Sequence, residues 1–427
     1  MATQFLNQSY AEEKLVFRAL TGTYLIYFLG ALYVTGSIIG WVLFMIICVR
    51  TYVLGKHKTY AIPAIVWVWI LAMFVMLIAL WIGHAEWYLG TGKTIKSSIG
   101  WMKGWALFAV FILIGAIAQI RVSTIVRAIC ILSTYTLIFS IITLALSIIR
   151  VPGEIYVSPL QAVGGPGPGF FTVSLYGMNP ETGAARWQFF GPWSPAAGLL
   201  ACLFFVICNA ERETKWRVLG IAGCVAMCLL SQSRAGWVIF FMLIPTMYFA
   251  DKVMQPWFLI TTGVIVAGLL TLGQPVFEAL QDFHQQVKDA RPDSTRVRNT
   301  LERLAIQRWQ SEAFWFGHGI VEPGPKIVEG MPIGSHHSWY GLLFVKGLVG
   351  LLALLIPMLV TLVYLFWQAM YHPVARIAFN LMTVLVCYSF FENLEILTYI
   401  FWPALIIIGV ALNPLKVGED HGIKATV

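Results

Sequence analysis

The sequence predicts an all-α integral membrane protein of about twelve helices, taking ~20 apolar residues per crossing. Three observations predict it. Hydrophobic residues make up 59% of the 427 and charged residues only 11%, against about 25% charged in a soluble domain. The apolar residues fall in runs long enough to cross a bilayer. Trp and Tyr gather at the ends of those runs (Trp81, Trp87, Tyr88, Trp101, Trp105, Trp187, Trp193), at the depth where amphipathic rings settle.

The runs place spans near 15–32, 34–50, 61–83, 99–120, 124–149, 190–209, 216–231, 234–250, 256–272, 339–370, 374–391 and 396–412. The first 20 residues carry Glu12 and Glu13 and lack a short apolar core, so the first span is expected to serve as an uncleaved insertion signal. Orientation follows from the basic loops. With the N-terminus cytoplasmic, the inside segments hold Arg50, Lys56 and Lys58, then Arg121 and Arg127, then Arg212, Lys215 and Arg217. Lys252, Arg376, Lys416 and Lys424 continue the pattern, and the C-terminus is cytoplasmic too.

Three regions result: 1–272, with spans one to nine; 273–338, a large outer loop; and 339–427, with the last three spans and a short tail. Outer segment 151–189 contains Gly164-Gly165-Pro166-Gly167-Pro168-Gly169 and reads as irregular. Segments 84–98, 231–235 and 392–395 are the other outer connections. Within the large loop, Asp293 or Ser294 to Phe316 reads as a helix, between Pro292 and Gly317. All seven cysteines lie in apolar stretches, and their spacing gives no disulfide framework or metal site.

The outer loops break the charge rule. Arg291, Arg296, Arg298, Arg303 and Arg308 crowd one segment, and Arg186 and Arg234 are also outside. Guanidinium groups match phosphate oxygens in pairs and keep their charge, so the cluster reads as an anion site. The competing reading is a solvated helix, with Arg298–Glu302 and Arg308–Glu312 paired at i,i+4. Arg234 stands in Ser231-Gln232-Ser233-Arg234-Ala235-Gly236 between two apolar runs, where a cation is costly unless paired or facing water.

His336-His337 close the large loop. A histidine there can take a proton from a sugar hydroxyl, or it can be a polar helix start without chemistry. Tyr340 follows within a turn. Glu392, near Glu395, either orients an arginine or histidine or caps the last helix pair. No nucleic-acid partner, cofactor or metal is expected.

These pieces together resemble the O-antigen ligase and polymerase superfamily of bacterial envelope enzymes. The matching residues are Arg186 followed by Gly191-Pro192, then Ser233-Arg234-Ala235-Gly236, then the loop helix with Arg298 ending in Phe316-Gly317-His318-Gly319. The last are His337-Ser338-Trp339-Tyr340 and Lys346-Gly347-Leu348-Val349-Gly350. The resemblance implies a GT-C-like glycosyltransferase of the inner membrane, working at the periplasmic face without a metal. Its donor would be an undecaprenyl-pyrophosphate-linked polysaccharide and its acceptor the lipid A–core oligosaccharide. It further implies that Arg186, Arg234 and Arg298 hold the pyrophosphate, with Arg303 or Arg308 beside them, and that His337 is catalytic. Two departures stand out: His336 neighbours His337, and Ser338 replaces the Asn usual after the histidine. A polymerase or a protein O-oligosaccharyltransferase of the same superfamily is the alternative. A transporter is the reading from another class; few charged residues lie deep in the spans and the two halves show no similarity, against what it would need.

Overall fold

A computed structural model gives the fold and describes residues 10–50, 61–179, 183–249, 252, 255, 292–328, 330–334 and 337–418. The expected span 256–272, residues 273–291 of the large loop, and His336 lie outside these.

The chain begins with α1 (Ala11–Thr21), α2 (Thr23–Phe28) and α3 (Leu32–Cys48). The expected first span is therefore two helices, divided at Gly22. The tight return to α3 passes through Gly30, whose φ of 63 suits a residue without a side chain. Next come α4 (Ala64–Glu86), α5 (Thr91–Lys103), α6 (Trp105–Ile117) and α7 (Val122–Ile148).

The expected outer segment 84–98 contains the first part of α5. This helix has no buried residue. Ile95, Ile99 and Met102 form an exposed apolar stripe, while Thr94 contacts His84 Nδ1 at 3.3 Å and Ser98 Oγ accepts from Trp81 Nε1 at 2.9 Å. Such an amphipathic helix suits a bilayer surface, and its mixed composition hid it beside the apolar runs.

Segment 151–189 contains two small antiparallel hairpins, the all-α fold's only named strands among the described residues: β1 (Glu154–Val157) with β2 (Thr172–Ser174), and β3 (Gly177–Met178) with β4 (Ala185–Arg186). Then follow α8 (Ser194–Asn209), α9 (Thr214–Ser231), α10 (Arg234–Phe249), α11 (Pro292–Glu312), α12 (Ser338–Ala369), α13 (Pro373–Ser389), α14 (Leu394–Ala411) and the short α15 (Pro414–Val417).

Among the described residues, six helical stretches are long and apolar enough to cross a membrane, and four more are apolar but shorter. At the centre stand α6 and α14, apolar on every side and almost wholly buried, as a helix surrounded by others must be. Their backbones touch at Gly115 and Gly409, where a Cβ would come within 2.1 Å of the opposing Ile406 and Ile112 carbonyl oxygens. Phe111 stacks on Trp402 one turn away, at 5.4 Å. Small residues allow this approach, and van der Waals contact and aromatic stacking hold it.

The helix ends sort onto two faces. One face joins Glu13 to Arg121 at 2.9 Å and Arg127 to Glu211 at 2.9 Å, and pairs Arg50 with Glu12. On the same face Asn413 Nδ2 and Lys416 Nζ donate to the terminal carbonyls of α6, at 2.9 and 2.7 Å. Burial of Glu13 opposes its charge, but the Arg121 and Thr124 hydrogen bonds outweigh it and hold the carboxyl below its ordinary range. The other face carries the hairpins, α5, α11 and residue 337.

The expected span 339–370 is present as α12 and is interrupted. Helix α12 is broken at Gly347 (φ 64, ψ −164). The backbone groups freed there are met by residues 314–319, which run alongside. His318 and Gly319 N–H donate to the Phe344 and Val345 carbonyls at 2.8 and 2.9 Å. Leu348 and Val349 N–H donate to Phe314 and Trp315 at 2.9 and 3.2 Å. This is also why α11 stops at Glu312 rather than Phe316: the chain has to leave the helix to fill the break. Irregular backbone at such depth is tolerated only where protein satisfies it.

Candidate active site

The site is built at the ends of helices. Helix α9 ends with Gln232 in the left-handed region (φ 50). Ser233 then caps α10, its Oγ accepting from Gly236 N–H at 3.1 Å. The Ser-Arg-Ala-Gly motif thus has a local explanation: the serine closes the helix end, and the glycine leaves room for Tyr388, whose hydroxyl a Cβ at Gly236 would meet at 3.1 Å. Arg234 is the first residue of α10.

Strand β4 brings Arg186 to this junction. Its Nε donates to the Ser231 carbonyl at 2.9 Å and its Nη2 to the Gln232 carbonyl at 3.4 Å. Trp187 N–H donates to Leu230 at 3.2 Å, and Gln232 Nε2 to Ala185 at 3.1 Å. Residues 185–187 therefore lie along 230–232, and Arg186 is bonded to the turn that leads into Arg234.

Helix α11 packs with Val297, Leu301 and Ala305 against Leu77 and Leu80 of α4 and Phe344 and Val345 of α12. Its opposite side carries Asn299, Glu302, Arg303, Gln307 and Gln310 along an open groove of about 520 Å³. Arg298 is on this helix, and its side chain is outside the described residues.

Arg308, read with the anion-binding group, is enclosed by carboxylates. Its Nη2 meets Glu312 at 2.8 Å, its Nη1 meets Glu322 at 2.6 Å, and its guanidinium lies 5.3 Å over Phe344. Glu312 also meets His318 Nε2 at 2.9 Å. The Arg308 hydrogen bonds, and then His318, pull the Glu312 carboxyl down to about 2, and Glu312 in turn pushes Arg308 up. His318 itself is fully buried between Trp87 and Phe344, with Nδ1 at 3.1 Å from the Phe344 carbonyl. This latch ties α11 to the break in α12. It was invisible in sequence beyond the Arg308–Glu312 spacing, because Glu322 and His318 return to it only by folding.

His337 is the N-cap of α12. Its Nδ1 accepts from the backbone N–H of Trp339 at 3.1 Å and Tyr340 at 3.4 Å. The Tyr340 ring lies 4.4 Å from the imidazole, and the Tyr340 hydroxyl interacts with Glu302 of α11. Glu392 accepts from Trp193 Nε1 at 2.8 Å, while its carbonyl accepts from Ser338 Oγ at 2.6 Å. Trp339 Nε1 donates to Ser389 at 2.9 Å. Glu392 therefore bolts the start of α8 to the start of α12.

Residues 388–392 connect the two halves of the site, touching Ser233 and Gly236 at one end and Ser338 at the other. Helices α8, α10, α12 and α14 all begin on this face, so four positive dipole ends share it with Arg186 and Arg234. The arrangement can hold a multiply charged anion and orient a reacting group beside it. Among the described residues, no group of three or more His, Cys, Asp or Glu is placed to hold a metal ion. Sequence reading missed Lys346, buried at the break and 3.7 Å from Glu395; a lysine inside an apolar run was the available signal.

Residues 218–355 match the family model described as O-antigen ligase. The matched stretch runs from α9 into α12 and contains Arg234, α11 and His337, whereas Arg186 and Glu392 lie outside it. The match covers 138 of the chain's 427 residues and shows this stretch to be similar to O-antigen ligases. No curated protein matches the chain.

Proposed function

We propose that this multi-pass chain is a member of the O-antigen ligase superfamily and acts as an O-antigen ligase. It moves a polysaccharide from undecaprenyl pyrophosphate to lipid A–core oligosaccharide. The reaction takes place on the periplasmic face of the bacterial inner membrane, with both termini cytoplasmic and about twelve spans in a GT-C-like arrangement. The observation that carries the reading is the hydrogen bonding of Arg186 to the α9–α10 turn that leads into Arg234, joined through residues 388–392 to the helix that His337 caps.

Arg186 and Arg234, with Arg298 and Arg303 on α11, take the pyrophosphate and stabilise the charge that grows on it as the sugar departs. Arg308 stays with its latch. Arginine supplies the counter-charge, so the reaction needs no metal. The acceptor hydroxyl attacks the anomeric carbon in one displacement, with inversion. His337 stands at the reacting end, with Tyr340 and Glu392 fixing its surroundings.

The test is His337→Ala in a ligase-null strain, scored by O-antigen attached to lipid A–core. Attachment should fall by about 100-fold or more, with lipid-linked polymer accumulating and the core left bare. Full attachment would remove His337 from the mechanism. Single-unit caps on the core would favour a polymerase instead. Retention of the donor's anomeric configuration in the product would exclude a single displacement.

A further inference from the structure

We propose that an apolar groove along α3 holds an acyl chain of the lipid-anchored acceptor, and that the lysines of α5 receive the phosphates of its head. The occupant rests on the ligase reading above; the groove and its basic mouth do not. Val34, Ile38, Val42, Met45 and Val49 line one side of α3 and, with the ends of α1 and α5, enclose about 940 Å³. Steps of three and four keep these side chains on one face. From Val34 to Val49 the helix rises ~22 Å. That is the reach of one extended fatty acyl chain and well short of a long polyprenyl chain.

The wall suits a hydrocarbon. Ser37 Oγ donates to the Tyr33 carbonyl and Trp41 Nε1 to the Met102 carbonyl, both at 3.2 Å, so each is satisfied within the protein. At the inner end Arg50 pairs with Glu12. The outer end is basic. Helix α5 contains Lys93, Lys96 and Lys103 and no acid; spacings of three and seven put the three amines on one side. Lys93 and Lys96 are exposed, and Lys103 stands at the mouth with Nζ 5.9 Å from the Tyr33 ring centre. Glu395, which packs against Gly104, pairs with Lys346 at 3.7 Å. Ile99 and Met102 carry the apolar stripe of α5 into the groove. A surface helix so arranged sets its amines at headgroup depth, where lysine binds phosphate as a point charge.

The position of the mouth favours the acceptor over the donor. A row of side chains leads from it to the candidate site: Tyr33 to Phe170 at 5.3 Å, Phe170 to Trp193 at 5.5 Å, and Trp193 Nε1 to Glu392 at 2.8 Å. The Glu392 carbonyl then meets Ser338, beside His337. A donor carries its pyrophosphate directly on the tail, so that tail has to end at the arginines. An acceptor has several sugars between its acyl chains and the accepting hydroxyl, and they can cross the gap. Lipid tails are as apolar as the groove, so leaving the bilayer brings no hydrophobic gain. Selectivity for this lipid therefore lies in the fit of the chain and in the lysines.

The test places the photo-crosslinker p-benzoylphenylalanine at Val42, which is 40% exposed, in the full-length protein. Nanodiscs supply lipid A–core, the polyprenyl-linked donor and phosphatidylglycerol, and mass spectrometry identifies the adduct. In parallel, transfer kinetics are measured for Val42→Trp, which fills the groove, and for the double variant Lys96→Glu/Lys103→Glu. Ile141→Trp, at an exposed apolar position on α7, is the control, and thermal unfolding checks that each variant folds.

The expected adduct is lipid A–core, enriched about tenfold over phosphatidylglycerol at equal mole fraction, and the lysine variant loses the enrichment. The KM for lipid A–core should rise about tenfold in Val42→Trp and in the lysine variant, with kcat and the KM for the donor unchanged. Ile141→Trp should match wild type. An adduct with phosphatidylglycerol in proportion to its abundance, with the donor's chain or within the protein itself overturns the proposal. So does an unchanged acceptor KM in the folded variants. Cross-linking to lipid A–core without any transfer counts against the ligase reading and supports the groove assignment. Transfer without that adduct does the reverse.

Discussion

Glu312 shows how much one carboxylate can organise outside the membrane. It accepts from Arg308 at 2.8 Å and meets His318 at 2.9 Å, and its pKa falls from 4.5 to about 2. A carboxyl depressed on folding stabilises the fold in full above its unfolded value, near 4.5, and the contribution fades as pH falls from there toward about 2. Hydrogen exchange along α11 should therefore quicken over that acidic window. Glu312→Gln should show the faster rate already at neutral pH and lose this part of the acid dependence. Because the pair is partly exposed, the change should be up to about fivefold, corresponding to less than about 1 kcal/mol. Equal exchange in both proteins at pH 7 would mean that the latch does not hold α11. Sequence spacing disclosed Arg308 and Glu312 as a helical pair. It could not disclose Glu322 or His318, because their place depends on how the chain returns after Gly317. Similarly, His337 was legible as a chemically able residue at a helix start, while the direction of its Nδ1 emerged only with the cap.

At the scale of elements, apolar run length found nearly every described helix and failed where a helix is interrupted or lies along the surface. Helix α12 reads as one continuous run, yet Gly347 breaks it. That glycine is visible in sequence; the segment 314–319 that fills the break is not, because nothing local pairs the two. Gly347 combines positive φ with extended ψ, a conformation open essentially to glycine, and its missing Cβ leaves space for the Trp315 carbonyl, 2.2 Å from where a Cβ would stand. Gly347→Ala should lower stability in detergent by at least about 1 kcal/mol, from backbone strain and that clash. Gly92→Ala in α5 is the control: a Cβ there meets nothing within 4 Å, and the residue is helical, so it should be neutral or stabilising by up to about 1 kcal/mol. Equal melting of the two variants would show the break to be soft. Helix α5 escaped detection for the opposite reason, since its lysines and serines lower the apolar density that marks a span.

For the whole molecule, the charge pattern separated the two faces before any coordinates did. Arg50, Arg121, Arg127 and Lys416 all occupy one face, each engaged with an acid or a helix end. Which face meets the cytoplasm is a prediction with a direct check. In cells, Lys96→Cys on α5 should react with a membrane-impermeant maleimide from outside the inner membrane. Lys215→Cys, exposed on the opposite face, should react only after that membrane is permeabilised. The reverse pattern would invert the orientation and place His337 inside. The contact between Asn413 and Ala116 spans 297 residues of sequence, and that distance sets an order of assembly. Helix α6 leaves the ribosome with its Gly115 and Ala116 carbonyls awaiting donors that are made about 300 residues later. Its partner α14 is made just before those donors. The centre of this protein must therefore be held open, by the insertion machinery or by lipid, until α14 and the residues after it have been made.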